Sequence, residues 1–167
     1  MEIQVWVGDL AEYNNGNLVG EWVKLPMEID EIMEKILVKG NEEWFVADTD
    51  SEICLDDMSL NEMNELAEKL ESMEEYEKTI LMEIINSRHF QNIEEAINCL
   101  ENSDYMMYEK CSDMSDIAYE YYEQTGQLQE LEKVINSFYI NWEAIGRDME
   151  IEGSFYRIDS NSYIQIF

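Results

Sequence analysis

Hydrophobic and polar positions alternate with a period of two at both ends of the chain and follow a helical period in the middle. Residues 3–7 alternate apolar and polar side chains, the pattern of a half-buried strand. Residues 18–25 and 43–48 have the composition of two further strands, and 29–37 carries apolar residues at helical spacing. A turn is expected at 14–16 because Asn-Asn-Gly favours one. The first fifty residues therefore predict a small α+β unit.

The middle of the chain has helical patterns only. Ser59 and Glu62 are spaced as a capping box, which marks the start of a helix. Further helices are expected over 76–84 and from Asn92 onward, where Asn92 is a good N-cap. The apolar stripe of the first helix consists of Leu60, Met63, Leu66, Ala67 and Leu70.

The last third returns to mixed structure. It predicts a strand over 104–109, a helix over 114–125 that Gly126 ends, short helices over 129–138 and 141–147, and a closing hairpin of 153–158 with 162–167. The predicted fold class is α+β, with mixed antiparallel sheet and helix at both ends. The corresponding domains are 1–57, 58–103 and 104–167.

Charge separates this chain from an ordinary globular protein. It has 39 Asp and Glu against 10 Lys and Arg, a net charge of −29 over 167 residues. Disorder is excluded, because 46% of the residues are hydrophobic and there are four Trp and ten Tyr. A surplus of one sign repels itself and opposes compaction. We therefore expect the charge to serve a basic partner or to occupy a place that nucleic acid normally fills.

The sequence gives little support for an enzymatic or a metal-binding function. The single His89 is flanked by Arg88 and Phe90, no nucleotide-binding or hydrolase motif is present, and the three cysteines lack metal-ligand spacing. Residues 48–59 imitate an EF-hand, but Ile53 replaces the required glycine and Ser59 the bidentate glutamate. Among 39 acids some pair always has glycosidase spacing. No catalytic residue, metal or cofactor is predicted.

The same features indicate where the protein works. No secretory leader or long apolar run is present, and odd, unspaced cysteines fit reduced thiols. A cytoplasmic location is expected. Anionic lipid and nucleic acid would both be repelled by this surface, so neither is an expected partner.

Several acids fall on predicted surfaces at regular spacing. Asp113, Asp116, Glu120 and Glu123 are three, four and three residues apart on one helix, which places them in one row about 15 Å long. One DNA strand carries about four phosphates over that length. Glu62, Glu65 and Glu68 form a second row. Asp48 and Asp50 belong to a stretch, 40–68, that contains no Lys or Arg. The spacing alone fits a solvated face as well as a functional one.

Four segments together resemble the ArdA antirestriction family. They are VWVGDLAEYNNGNLVGEWVKLP (5–26), EWFVADTDSE (43–52), DMSDIAYEYYEQTG (113–126) and AIGRD (144–148). The resemblance implies three small domains in an elongated row and a homodimer joined through the C-terminal domains. It also implies DNA mimicry: family members occupy the DNA-binding site of type I restriction–modification enzymes and block restriction, often with modification. They are typically carried by mobile genetic elements.

Three hypotheses follow. The first is a non-catalytic DNA mimic that fills the DNA-binding groove of the methyltransferase core of a type I enzyme. The second directs the same mimicry at another DNA-binding protein, such as a Cas effector or a nucleoid protein. The third is an acidic enzyme or housekeeping domain whose charge aids solubility. By family analogy, the aromatic-rich end (Phe138, Tyr139, Trp142, Phe155 and Tyr156) and the Arg147–Asp148 pair are expected to pack, as the dimer contact. The phosphate surrogates of the first hypothesis are Asp48, Asp50, Glu62, Glu65, Glu68, Asp113, Asp116, Glu120 and Glu123.

Overall fold

A computed structural model describes residues 1–167. The fold is α+β, with eight α-helices and two antiparallel sheets of three strands each. The chain divides into two compact units, Met1–Lys78 and Thr79–Phe167. The predicted fold class is confirmed, while the division into three domains after residues 57 and 103 stays a prediction. None of the helices combines the length and apolar character needed to cross a bilayer.

The first unit is built on a small sheet with helices on one face. Its elements, in chain order, are β1 (Ile3–Asp9), α1 (Leu10–Asn14), β2 (Gly20–Leu25), α2 (Ile29–Ile36), β3 (Trp44–Asp50), α3 (Leu60–Ser72) and the start of α4 (Glu75–Ser87). β1 lies between β2 and β3 and pairs antiparallel with both.

The two faces of this sheet follow from the alternation along β1. Ile3, Val5 and Val7 are buried, together with Val23 and Leu25 of β2 in the same register. The predicted apolar stripe of α3 is confirmed, because all five of its residues are buried. The predicted capping box is also present: Glu62 N–H donates to Ser59 Oγ at 3.3 Å, and Ser59 N–H donates to Glu62 Oε2 at 2.7 Å.

The sequence predicts only a turn at 14–16, whereas the chain forms the short helix α1 just before it. Asp9 caps this helix by accepting a hydrogen bond from Glu12 N–H at 3.0 Å. Its other oxygen accepts from Val38 N–H at 2.9 Å and from Asn41 Nδ2 at 2.8 Å. Since these two donors lie about thirty positions away along the chain, no local pattern reveals them. The second strand begins at Gly20 rather than at residue 18.

The second unit packs helices against another three-stranded sheet. After α4 its elements are α5 (Ile93–Asn102), β4 (Tyr105–Glu109), α6 (Met114–Gln124), α7 (Gln127–Glu132), a 3-10 helix (Ser137–Tyr139), α8 (Trp142–Glu152), β5 (Phe155–Arg157) and β6 (Ser162–Ile166). β6 lies between β4 and β5, and both pairings are antiparallel. The predicted closing hairpin is thereby confirmed.

The core of this unit lies between the sheet and α6. Tyr108, Cys111, Ile117 and Tyr163 form one buried cluster. The Tyr108 hydroxyl donates to Gln165 Oε1 at 3.0 Å. Burial, with smaller effects of neighbouring ionisable groups, raises the pKa of Tyr108 to about 12, so the phenol stays neutral at physiological pH.

The helical pieces predicted around 129–138 and 141–147 are present with different bounds. The first region holds α7, which begins at Gln127, and the 3-10 helix, and the piece expected to end at Arg147 continues as α8 to Glu152. Gly146 lies inside α8 and is buried. A Cβ at this position would collide with the backbone of Met114 at the start of α6. Gly146 therefore lowers the helix propensity of α8 in return for close packing against α6.

Candidate functional site

The acids of β3 lie on the edge of the first sheet. Asp48 and Asp50 are exposed and point to the face opposite the buried one, because they pair with Trp6 and Gln4 of β1. The backbone N–H of Thr49 donates to Asp48 Oδ1 at 2.9 Å, which orients that carboxylate. An edge strand with charged side chains resists pairing with other strands while leaving both carboxylates open to a partner.

The second group of acids follows the exposed side of α3. Glu62, Glu65 and Glu68 are all exposed and span about 9 Å along the helix axis. Hydrogen bonds from the Ser59 side chain and backbone hold the pKa of Glu62 below its ordinary value. This carboxylate is therefore ionised and fixed, whereas the next two extend freely into solvent.

The third group begins at the N-terminus of α6. Asp113 is the N-cap, and its Oδ1 accepts from Ser115 Oγ at 2.6 Å, from Ser115 N–H at 2.8 Å and from Asp116 N–H at 3.2 Å. Asp116 Oδ2 accepts from Ser112 N–H at 2.8 Å. The Ser115 hydroxyl, followed by the backbone donors, holds the pKa of Asp113 below its ordinary value. Both carboxylates are thus positioned by the main chain.

The remaining acids of this row differ in exposure. Glu120 is half-buried, and its Oε1 accepts from Gln124 Nε2 at 2.7 Å, while Glu123 is exposed. The opposite side of α6 is apolar, and its Ile117 and Ala118 are fully buried.

An open groove of about 640 Å³ runs beside α6 in the second unit. Three carboxylates and one lysine line it: Asp116 and Glu120 from the predicted row, Glu109 from the end of β4, and Lys110. Glu109 is not among the residues predicted from the sequence, although it ends the strand predicted over 104–109. Carboxylates on two walls of an open groove can accept Lys or Arg side chains of a protein partner.

The structure thus distributes the nine predicted residues over both units. Those of β3 and α3 belong to the first unit, and those of α6 to the second. No group of three or more His, Cys, Asp or Glu side chains has the geometry to hold a metal ion. His89 contacts Tyr156, whose hydroxyl lies 2.6 Å from His89 Nδ1, and Phe90, which places it in an aromatic cluster.

Comparison with known families adds a decisive observation. The family model described as antirestriction protein (ArdA) matches residues 5–164, nearly the whole chain. The chain belongs to the ArdA family of antirestriction proteins. Among curated proteins, none matches it significantly.

Two segments that carry the ArdA resemblance have clear structural roles. VWVGDLAEYNNG spans β1 and α1 and contains Asp9, which joins α1 to the loop after α2. AIGRD lies in α8 and contains Gly146, where α8 approaches the backbone of α6 too closely for a Cβ atom. Both segments therefore support the framework that presents the acids.

The aromatic-rich end is only partly available for contacts between chains. Trp142 packs against Tyr119 and Tyr122, with ring centroids 5.4 and 5.6 Å apart. Phe155 packs against the buried Tyr108, and Tyr156 bonds to His89. The expected packing of these three partly buried aromatics is therefore confirmed within the second unit, while their part in a dimer contact stays a prediction. Phe138 and Tyr139 are 87% and 74% exposed.

Proposed function

We propose that this ArdA-family protein is a stoichiometric, non-catalytic inhibitor whose carboxylates replace DNA phosphates. Its target is the DNA-binding groove of the methyltransferase core of a type I restriction–modification enzyme, in the cytoplasm of a bacterial host. Occupying that groove blocks restriction, and it blocks modification as well because the core carries both recognition and methylation.

The observation that carries the proposal is the fixed geometry of the α6 row. Asp113 and Asp116 are side chains held by hydrogen bonds from the backbone, not freely rotating surface acids, and the pKa of Asp113 lies below its ordinary value. Pre-positioned charges lose less conformational entropy on binding than flexible ones. Two fixed carboxylates, followed by Glu120 and Glu123 on the same helix, can therefore present four charges over about 15 Å, close to the number of phosphates in one DNA strand of that length.

The total charge agrees with mimicry of a duplex. DNA carries one charge per about 1.7 Å of axis, so a net charge of −29 corresponds to about 50 Å of duplex. A compact chain of 167 residues has a radius of gyration of about 15 Å, which corresponds to a globule only about 40 Å across. We infer that the domains 1–57, 58–103 and 104–167 form an elongated row, for which small-angle scattering should give a clearly larger radius.

We further infer a homodimer formed through the C-terminal domain. Two adjacent rings, Phe138 and Tyr139, are exposed with centroids 5.6 Å apart. Val134, just before them, is 84% exposed. An exposed apolar cluster of this kind is typical of a protein–protein contact. A dimer carries twice the charge of one chain and would therefore mimic nearly 100 Å of duplex.

The proposal is tested by competition. Increasing amounts of the protein are added to a type I methyltransferase core bound to labelled duplex, at several salt concentrations. Complete displacement at about one dimer per core, weakening as salt rises, supports the proposal. Parallel assays with a Cas effector and a nucleoid protein identify the target if the type I core is not displaced.

A further inference from the structure

The open face of the first sheet is not covered by the helices that bury its other face. The register places Trp6 of β1 directly between Trp22 of β2 and Asp48 of β3. The next row along the strands contains Lys24, Gln4 and Asp50. Two tryptophans and two carboxylates therefore share one side of the sheet.

A pair of glycines shapes this face. Gly8 and Gly20 are partners in the β1–β2 pairing, and a Cβ at either one would lie 2.5 Å from the indole of Trp6. Glycine weakens a strand and marks places where another group approaches the backbone closely. Here it gives the Trp6 ring room to lie across the sheet.

Two further rings extend the same surface. Phe45 contacts Trp6 with centroids 6.1 Å apart, and Tyr13 contacts Phe45 at 5.1 Å. We call Trp6, Trp22, Phe45 and Tyr13 the aromatic platform. Trp22 and Tyr13 are 47% and 55% exposed, so the platform is accessible in the folded chain.

Charge on this face is negative despite the presence of a lysine. Lys24 Nζ is paired with Glu2 at 2.5 Å, whereas Asp48 and Asp50 have no cationic partner among the ion pairs. Indole faces attract cations, arginine most often, and the Cβ atoms of directly opposite residues such as Trp6 and Asp48 lie about 5 Å apart. Rings beside carboxylates fit a guanidinium or ammonium group, while the phosphates of a nucleic acid would be repelled.

We propose that the aromatic platform binds Lys and Arg side chains of the partner enzyme's DNA-binding groove. Cations stack on Trp22 and Trp6 while Asp48 and Asp50 accept their hydrogen bonds. This inference rests on the proposed function for the identity of the partner. The platform adds a contact that DNA itself does not make, because the cation stacks on aromatic rings of the sheet. The other contacts pair a cation with a carboxylate that replaces a phosphate.

The first test uses an arginine-rich peptide and needs no restriction enzyme. The indole N–H signals of all four tryptophans are followed by NMR as the peptide is added. We expect Trp6 and Trp22 to shift and Trp44, which pairs with the buried Asp9 on the other face of the same sheet, to stay in place. Equal shifts at Trp44, or none at Trp22, overturn the proposal.

The second test compares Trp22→Ala with the matched control Tyr76→Ala, which removes a 64% exposed ring from α4. Both must keep the wild-type unfolding temperature. In the competition assay, Trp22→Ala should weaken binding about 2- to 30-fold without changing the salt dependence, and Tyr76→Ala should have no effect. Asp48→Asn should lower both the affinity and the salt dependence.

The outcomes separate the two proposals. If wild-type protein displaces DNA and Trp22→Ala does so equally well, the platform proposal fails and the proposed function stands. If the peptide shifts Trp6 and Trp22 but the protein never displaces DNA, the proposed function fails, and the platform stands only as a surface for Lys and Arg side chains of a different protein. If Trp22→Ala abolishes self-association instead, the face joins two copies of the chain and the platform proposal is overturned.

Discussion

The backbone N–H of Asp116 donates a hydrogen bond to Asp113 Oδ1 across 3.2 Å. The first acid of the α6 row is thus also the cap of the helix that presents the others. A carboxylate at a helix N-terminus is stabilised by the helix dipole as well as by these donors. Stability and surface charge are consequently coupled at Asp113, and the two contributions can be separated by substitution.

Asp113→Ala should destabilise the protein by about 1 kcal/mol, because it removes the cap of α6. Asp113→Asn should stay close to wild type, since an amide oxygen can accept the same backbone hydrogen bonds. Both variants lose the same charge, so the difference between their free energies of unfolding measures the contribution of the hydrogen bonds alone. Urea denaturation checks this, and equal midpoints for the two variants would contradict the assigned cap.

Asp9→Asn should lower the unfolding temperature. The carboxylate is fully buried and accepts from Glu12 N–H, Val38 N–H and Asn41 Nδ2. An amide offers only one acceptor oxygen and turns its own N–H groups toward these donors. Thermal unfolding followed by circular dichroism at pH 7 checks this, with the exposed Asp30→Asn as control.

The contribution of Asp9 should also depend on pH. Burial raises its pKa, but the hydrogen bonds from Glu12, Asn41 and Val38 outweigh burial and leave the pKa below its ordinary value. A lowered folded-state pKa stabilises the fold above the unfolded pKa of about 3.9, and that stabilisation is lost as pH falls through the folded value. The difference in stability between wild type and Asp9→Asn should therefore be constant above about pH 5 and shrink below pH 4. A difference that grows on acidification would contradict this account.

Gly146→Ala should destabilise the protein by about 1–3 kcal/mol, although alanine is the better helix former. The added methyl would meet the Met114 carbonyl and lie 2.9 Å from the Ser115 nitrogen, which forces α8 away from α6. Asp148→Ala, on the exposed side of the same helix, is the control and should change stability little. A stabilising effect of Gly146→Ala would contradict the conclusion that α6 and α8 pack closely at this residue.

Replacing Phe138 and Tyr139 together by serine should convert the proposed dimer to a monomer. Both rings are mostly exposed in a single chain, so their loss should leave the fold intact while removing the apolar contact. Light scattering coupled to size exclusion gives the mass directly. Leu18→Ser, which removes another exposed apolar side chain (74% exposed), should leave the mass unchanged. A double variant that remains dimeric would place the contact elsewhere.

Local features of this fold were predictable, and long-range ones were not. The capping box of Ser59 and Glu62 and the apolar stripe of α3 depend on neighbours within one or two turns, so the sequence predicts them correctly. The role of Asp9 depends on Val38 and Asn41, which only folding brings near it. The aromatic platform likewise depends on the register of three strands. The sequence of any one strand alone predicts that its aromatic rings belong to the core. Which acids a partner contacts is a property of the partner as well, so the nine surrogates stay predictions.

Neutralising the surrogates step by step should weaken inhibition gradually. Two or three changes, such as Glu65→Gln, Glu68→Gln and Glu123→Gln, should weaken inhibition only slightly, because the interaction with the enzyme is spread over many weak contacts. Changing all nine should weaken it strongly. A variant with nine acids neutralised elsewhere on the surface, including Asp30, Glu34 and Glu94, controls for net charge. Complete loss from one Asp→Asn change in a folded protein would instead indicate a catalytic or metal site.

Displacement of labelled duplex from a type I methyltransferase core by the wild-type protein tests the central claim most directly. The account predicts full displacement at a stoichiometric ratio, with an apparent affinity that falls steeply as salt rises. A protein that leaves the duplex bound at low salt and in molar excess, or that binds the core and DNA simultaneously, would contradict it.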